Sequence, residues 1–237
     1  MSTLLLRLAG PLQAWGTESK FETRRTEREP TRSGVVGLLM AALGCRRDDA
    51  QTLRQLDRLR MGVRVDQPGE LLRDYHTAHP VKGTGYITNR YYLADAVFVV
   101  GLESEDTALL QKLEQALRAP AFPLFLGRRA CPPTLPLVLG VQQAGLREAL
   151  QGEPWQAAPW RRKKLDPKLK LVLEGAEAQG TVRRLRDRPL SFDITHREYG
   201  YRYAAMCGWV EAEAEQSAGH DAMAELREEE QGVSEQD

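Results

Sequence analysis

Two short apolar runs, RMGVRV at residues 60–65 and DAVFVVGL at 95–102, read as strands. Between them lies LLRDYHTAHPVKGTGYITNRYYLADA, residues 71–96, which holds two His, four Tyr, two Gly and several Arg and Lys. Neighbouring strands of a compact sheet are usually joined by a handful of residues. A connection this long, with Gly83 and Gly85 at its middle and Arg90, Tyr91 and Tyr92 on one flank, predicts an inserted β-hairpin over about 72–95. Its tip would be flexible and its stem basic and aromatic. Any fold for this chain must therefore put two core strands at the base of a hairpin.

The flanking segments supply the rest of that core. STLLLRLA at 2–9 reads as a buried strand, and residues 10–30 as a long polar loop. PTRSGVVGLLMAALG at 30–44 has a capping start, a dense apolar run and a glycine placed to end a helix. DDAQTLRQLDRL reads as a short amphipathic helix, and SEDTALLQKLEQALRAP as a longer one that stops at Pro120. LPLVLGV at 135–141 is a fourth strand. The order β-α-β-β-α-β is the ferredoxin-like pattern, an α+β fold used by many RNA-binding domains. Fold alone does not assign a function. Past residue 142 the pattern changes to short β-leaning runs: KLKLVLEG, GTVRRLRD and YRYAAMCGWV. The expected organisation is a ferredoxin-like domain over 1–141, a small mostly-β subdomain over 142–210 and an acidic tail over 211–237.

Composition narrows the function classes. The three Cys are far apart and odd in number, which speaks against a disulfide framework and a zinc site. No apolar stretch approaches the roughly 20 residues of a membrane span. A cytoplasmic protein with no metal and no cofactor is expected. The net charge is zero, yet residues 211–237 hold ten of the 33 acidic residues and one of the 33 basic ones. That leaves 32 basic against 23 acidic over 1–210. A basic body suits phosphate neutralisation on nucleic acid, although charge alone also fits a solvated surface. The tail is low in aromatics and expected to order poorly or late.

Three places could carry the chemistry. In the inserted segment, Tyr75, His76 and Lys82 are residue types that could serve metal-independent RNA cleavage as base, acid and cation. The same types equally grip a backbone and stack bases, and adjacent residues on a strand point to opposite faces. In the loop before the first helix, Arg24, Arg28 and Arg32 precede a helix N-terminus that suits a phosphate, while Thr31 and Ser33 could simply cap it. In FLGRRACPP, Gly127 allows close backbone approach and Arg128 and Arg129 offer forked donors. P-loop and dinucleotide fingerprints are absent. The basic run RRKKLDPKLK at 161–170 fits a solvated face or a protein contact.

LRLAGPLQAWG, PTRSGVVGLLMAALG with the following RRDD, LRDYHT, and LGRRACPPTLPLVLG together resemble the CasD family, small RAMP-type subunits of the type I-E CRISPR Cascade complex. The resemblance runs in order over residues 1–140. It implies a ferredoxin-like (RRM-like) body with a hairpin thumb and a small β-rich C-terminal part. It implies a non-catalytic subunit that holds the 5′ handle of the CRISPR RNA beside a CasC-like backbone subunit and a CasA-like large subunit, meeting target DNA only through the assembled complex. Type I-C relatives are metal-independent ribonucleases, so precursor processing is the alternative activity. On this resemblance the RNA-binding residues are Gln13, Trp15, Arg24, Arg28, Thr31, Arg32, Ser33, Arg73, Tyr75, His76, Lys82, Arg90, Tyr91, Gly127, Arg128 and Arg129.

Overall fold

The structure is a computed structural model that describes residues 1–16, 19–20, 23–79, 83–175 and 180–212. Strands β1 (Ser2–Ala9), β2 (Leu12–Gln13), β3 (Ser19–Lys20) and β4 (Thr23–Arg24) come first, then helices α1 (Arg32–Leu43) and α2 (Ala50–Leu56). Strands β5 (Arg60–Gln67), β6 (Glu70–Ala78), β7 (Tyr86–Ala94) and β8 (Val97–Ser104) follow, then α3 (Thr107–Arg118) and β9 (Val138–Gln142). The chain continues through α4 (Leu146–Gly152), α5 (Pro159–Arg162), β10 (Lys168–Glu174), β11 (Thr181–Ser191) and β12 (Glu198–Glu211).

Seven strands form one sheet in the order β11-β12-β10-β5-β8-β1-β9, antiparallel throughout. Both faces are covered at the central strands β1 and β8, which explains why LLLRLA and VFVVGL read as continuous apolar runs rather than alternating ones. On one face Leu4, Leu6 and Leu8 of β1 and Phe98, Val100 and Leu102 of β8 pack with the buried residues of α1 and α3. On the other face Leu5, Val99 and Leu171 pack with Leu146, Ala149 and Leu150 of α4 and with Trp155. Each fully buried leucine contributes about 1.5–3 kcal/mol of transfer free energy. The buried Arg64 on β5 is held bidentate by Asp66 at 2.7 and 2.9 Å and donates to three carbonyls around the end of α4, Leu150, Glu153 and Pro154. A cation sits in this core because its donors are occupied.

The helix ends follow the sequence signals. Thr31 caps α1 by accepting from the Gly34 N–H at 3.3 Å. Gly44, at φ +74°, closes it in the left-handed conformation. Asp106 caps α3 through the Leu109 N–H at 2.9 Å, and Leu110, Leu113 and Leu117 make its buried stripe.

Two expectations need correction. The segment after 142 does not stand apart as a subdomain: β10 pairs with β5 from Lys170↔Val65 to Leu173↔Gly62, so its strands extend the main sheet. Leu169, Leu171 and Leu173 need an apolar cover, and α4 supplies it within one core. The 10–30 loop is not wholly irregular either. β2, β3 and β4 join β6 and β7 in a second sheet, with β2 and β4 pairing along β7. Strands of two residues have no readable period; they form here because β7 offers an open edge. The inserted segment is a nine-pair antiparallel hairpin, from Glu70↔Ala94 at its base to Ala78↔Tyr86 near its tip. The tail from residue 213 lies outside the described residues.

Candidate nucleic-acid interface

The hairpin sorts its side chains by parity. Cross-strand register puts Arg73 with Tyr91 and Tyr75 with Asn89 on one face. It puts Asp74 with Arg90 and His76 with Thr88 on the other. Tyr75 is 60% exposed and His76 is exposed, with Asp74 3.9 Å from its Nδ1. The Arg73 Nε donates to the Asn89 Oδ1 at 2.9 Å, which holds its stem against the strand. Tyr91 is half-buried. Lys82 lies outside the described residues. Tyr75 and His76 therefore face opposite sides of one strand and do not form a common site.

A second arrangement gathers residues from three distant segments. β4 runs parallel to β7 with Arg24 opposite Arg90, so both side chains leave the same face as Tyr92. Tyr92 is buried, and the Arg128 guanidinium carbon stands 4.6 Å from its ring centre. The Arg128 Nη2 donates to the Arg24 carbonyl at 2.9 Å. Its Nη1, like the Nε of Arg90, has no hydrogen-bond partner among the described residues. Arg24, Arg28 and Arg129 are exposed. The Arg128 Nη1 and the Arg90 Nε are buried; the exposed Arg24 guanidinium and the half-buried Arg90 and Arg128 guanidiniums put three positive charges on one face, a strip suited to phosphate oxygens.

The turn that carries Arg128 depends on Gly127. Its φ is +85°, and an added Cβ would sit 1.7 Å from the Ala14 carbonyl oxygen. The Ala14 N–H donates to the Leu126 carbonyl at 3.0 Å, and the Cys131 N–H to the Arg128 carbonyl at 2.9 Å. Gln13 and Trp15 lock the other side of this contact. The Gln13 Nε2 donates to the carbonyls of Leu8 and Ala96, and its Oε1 accepts from the Trp15 indole at 3.0 Å.

Four of the expected RNA contacts have their polar atoms turned inward in this geometry. Gln13 and Trp15 are 0% and 1% exposed with their polar atoms bonded internally, so they shape the turn rather than offer a contact. Arg32 is 5% exposed. It donates to Asp57 and Glu174, at 2.6 Å for the latter, and to the carbonyls of Asp57 and Leu59. The end of α1 is already filled: the Arg32 N–H donates to the Asp187 carboxylate at 2.8 Å, which takes the place expected for a phosphate. Thr31 is buried as the cap, and Ser33 beside it is half-buried. Arg202 completes the network by bridging Asp187 and Glu174.

A family model described as CRISPR-associated protein (Cas_Cas5) matches residues 3–205. The chain belongs to this family. The Cascade subunit CasD of Escherichia coli strain K12 is 43% identical over 162 positions, covering 60% of this chain and 72% of that one. A chain of a solved CRISPR RNA-guided surveillance complex is 33% identical with a TM-score of 0.74, covering 95% of this chain and 98% of that one. A crystal structure of a Cas protein is 38% identical with a TM-score of 0.64, covering 90% and 98%. The family match, which runs to residue 205, includes β10 and β11, where the motifs of the sequence were silent.

Within this Cas5-family chain, the sequence singled out Arg24, Arg90 and Arg128 without bringing them together. It named Tyr92 on the hairpin's aromatic flank but not as the residue that supports Arg128. The signal was present in the alternation along NRYYLA: if Leu93 and Tyr91 share one face, Tyr92 must share the other with Arg90. Among the described residues no group of three or more His, Cys, Asp or Glu is placed to hold a metal ion, and no helix is long and apolar enough to cross a membrane.

Proposed function

We propose that this chain is a non-catalytic, CRISPR RNA-binding subunit of a Cascade-type surveillance complex. It holds the 5′ handle of the CRISPR RNA and caps the backbone filament in antiviral defence. The observation that carries the reading is the strip of Arg24, Arg90 and Arg128, assembled by β4–β7 pairing and the Gly127 turn. The likeness to CasD and to a surveillance-complex chain supports it. In this reading β1, β5, β8 and β9, ordered β5-β8-β1-β9, with α1 and α3 on one face, are the ferredoxin-like unit. The β6–β7 hairpin is the thumb, with Arg73, Tyr75 and Tyr91 on one face for bases and His76 and Arg90 on the other toward the phosphate strip. A CasC-like backbone subunit and a CasA-like large subunit are its neighbours, and the complex works in the cytoplasm.

The test is a labelled CRISPR repeat RNA incubated with the purified chain in chelator, alone and with its assembly partners. Retarded but intact RNA is the expected outcome. Chelator-resistant cleavage that disappears in Tyr75→Phe or His76→Ala would overturn the non-catalytic assignment. The opposite facing of these two side chains favours the intact result.

A further inference from the structure

At the far end of the main sheet from β9, one face of β11 and β12 carries a set of residues that neither helix layer covers. Tyr201 and Tyr203 lie at alternate positions of β12, so they share a face about 7 Å apart along the strand. They are 51% and 62% exposed. Register places Arg184 opposite Tyr203 and Val182 opposite Ala205, on that same face. The Arg184 guanidinium carbon lies 4.5 Å from the centre of the Tyr201 ring. Arg186 follows at the next alternate position, and both arginines are exposed.

The reverse face of these strands is a different environment. There Arg183 pairs with Glu29 at 2.8 Å, Arg188 with Asp57 at 2.6 Å, and Arg202 with Asp187 and Glu174. Arg184 and Arg186 form no ion pair among the described residues, and strand alternation puts no carboxylate of β11 or the facing part of β12 on their face. β11 is also the edge strand of its sheet.

We propose that this face is a stacking platform for single-stranded nucleic acid, separate from the arginine strip. Exposed aromatic rings on a sheet, flanked by cations, stack bases while the cations take the backbone phosphates. Two cations without an acidic partner among the described residues match a polyanion. A duplex keeps its bases about 3.4 Å apart and hides their faces. Rings at twice that spacing suit a strand whose bases are splayed. The Arg184–Tyr201 stack holds one guanidinium plane and one ring in place before any ligand arrives.

The experiment uses the full chain and a fluorescent oligouridylate of about 12 nucleotides, read by anisotropy. Tyr201→Ala with Tyr203→Ala should weaken binding by about tenfold or more, while Tyr201→Phe with Tyr203→Phe should match the wild type. Arg184→Gln with Arg186→Gln should reduce the slope of log K against log salt by about 1.4. A duplex RNA of the same length should be indifferent to the tyrosine changes. The tyrosine effect should persist in an Arg24→Ala, Arg90→Ala, Arg128→Ala background, so failure of the strip and failure of the platform read differently. The proposal is overturned by a double alanine variant that binds like wild type, by equal losses on the duplex, or by loss confined to assembly with protein subunits. Should the alanine variant melt early, photocrosslinking of a 4-thiouridine tract to the wild-type chain decides: adducts must fall within 182–186 or 199–205, and adducts confined elsewhere overturn it.

Discussion

Arg128 is held between two segments that the sequence keeps far apart: its guanidinium carbon is 4.6 Å from the Tyr92 ring centre, and its Nη2 donates to the Arg24 carbonyl at 2.9 Å. Stacking and one hydrogen bond fix the plane and the charge of the half-buried fork before a phosphate arrives. Replacing Arg128 with Ala should weaken handle RNA binding and lower the salt slope by about 0.7 for one lost contact on a single strand. Arg128→Lys should not restore affinity, because an ammonium has no plane to stack. An unchanged slope in Arg128→Ala would remove this residue from the interface.

Gly127 should tolerate nothing larger. An alanine there meets the Ala14 carbonyl at 1.7 Å and must hold φ at +85°. The expected cost is about 1–3 kcal/mol or more, visible as a lower melting temperature together with weaker RNA binding, because the turn carries Arg128. A variant with native melting and native binding would show that the turn can move without consequence.

Arg32 separates folding from binding. Its removal leaves Asp57 and Glu174 partly unpaired in a buried network, at about 3–5 kcal/mol. Arg32→Ala should therefore lower the denaturant midpoint strongly, while whatever fraction stays folded keeps the wild-type salt slope for RNA. A stable variant with a reduced slope would return Arg32 to the interface.

Glu29 makes the body acid-sensitive. Burial pushes its carboxyl up, but the hydrogen bonds and charges of Lys170 and Arg183 more than offset this, so it titrates below the usual glutamate range. The folded state then binds fewer protons than the unfolded one. The stability this group contributes is present above about pH 4.3 and is lost as pH falls through the lower folded value. Thermal melts should show a steep loss below about pH 4. Glu29→Gln should lower the plateau at neutral pH and flatten that loss; an identical acid limb in the variant would assign it to other carboxylates.

The hairpin tip should be separable from the core. Tyr92 and Leu93 are buried at the base of β7, whereas Tyr75, Tyr86 and Ile87 near the tip are 60%, 52% and 48% exposed. Replacing residues 77–87 with a short turn should leave the melting temperature close to wild type and prevent stable capping of the RNA 5′ end in the reconstituted complex. Full incorporation with an unaltered 5′ end would show that the hairpin does not act there.

By itself the sequence determined the local and periodic features. β1, α1, β5, β8 and α3 were legible because each carries its own period and cap, from the leucines of LLLRLA to Thr31, Gly44 and Asp106. The insertion was legible as a hairpin because its glycines and aromatics break both flanking runs. The motifs marked Arg24, Arg90, Gly127 and Arg128, since arginines beside a turn glycine are visible without coordinates. Only the tertiary structure decided which charges are available. Arg32 and Arg24 look alike eight residues apart, yet Arg32 is spent on Asp57 and Glu174 while Arg24 lies exposed beside Arg90. Likewise Arg183 and Arg184 are adjacent in the chain, but strand parity turns one into an ion pair and the other toward solvent. Glu174 and Asp187 lie more than 140 residues from Arg32, and no local pattern brings them together. Ion pairing over such separations depends on which strands become neighbours, and that follows from closing one apolar core around β10, β5 and α4.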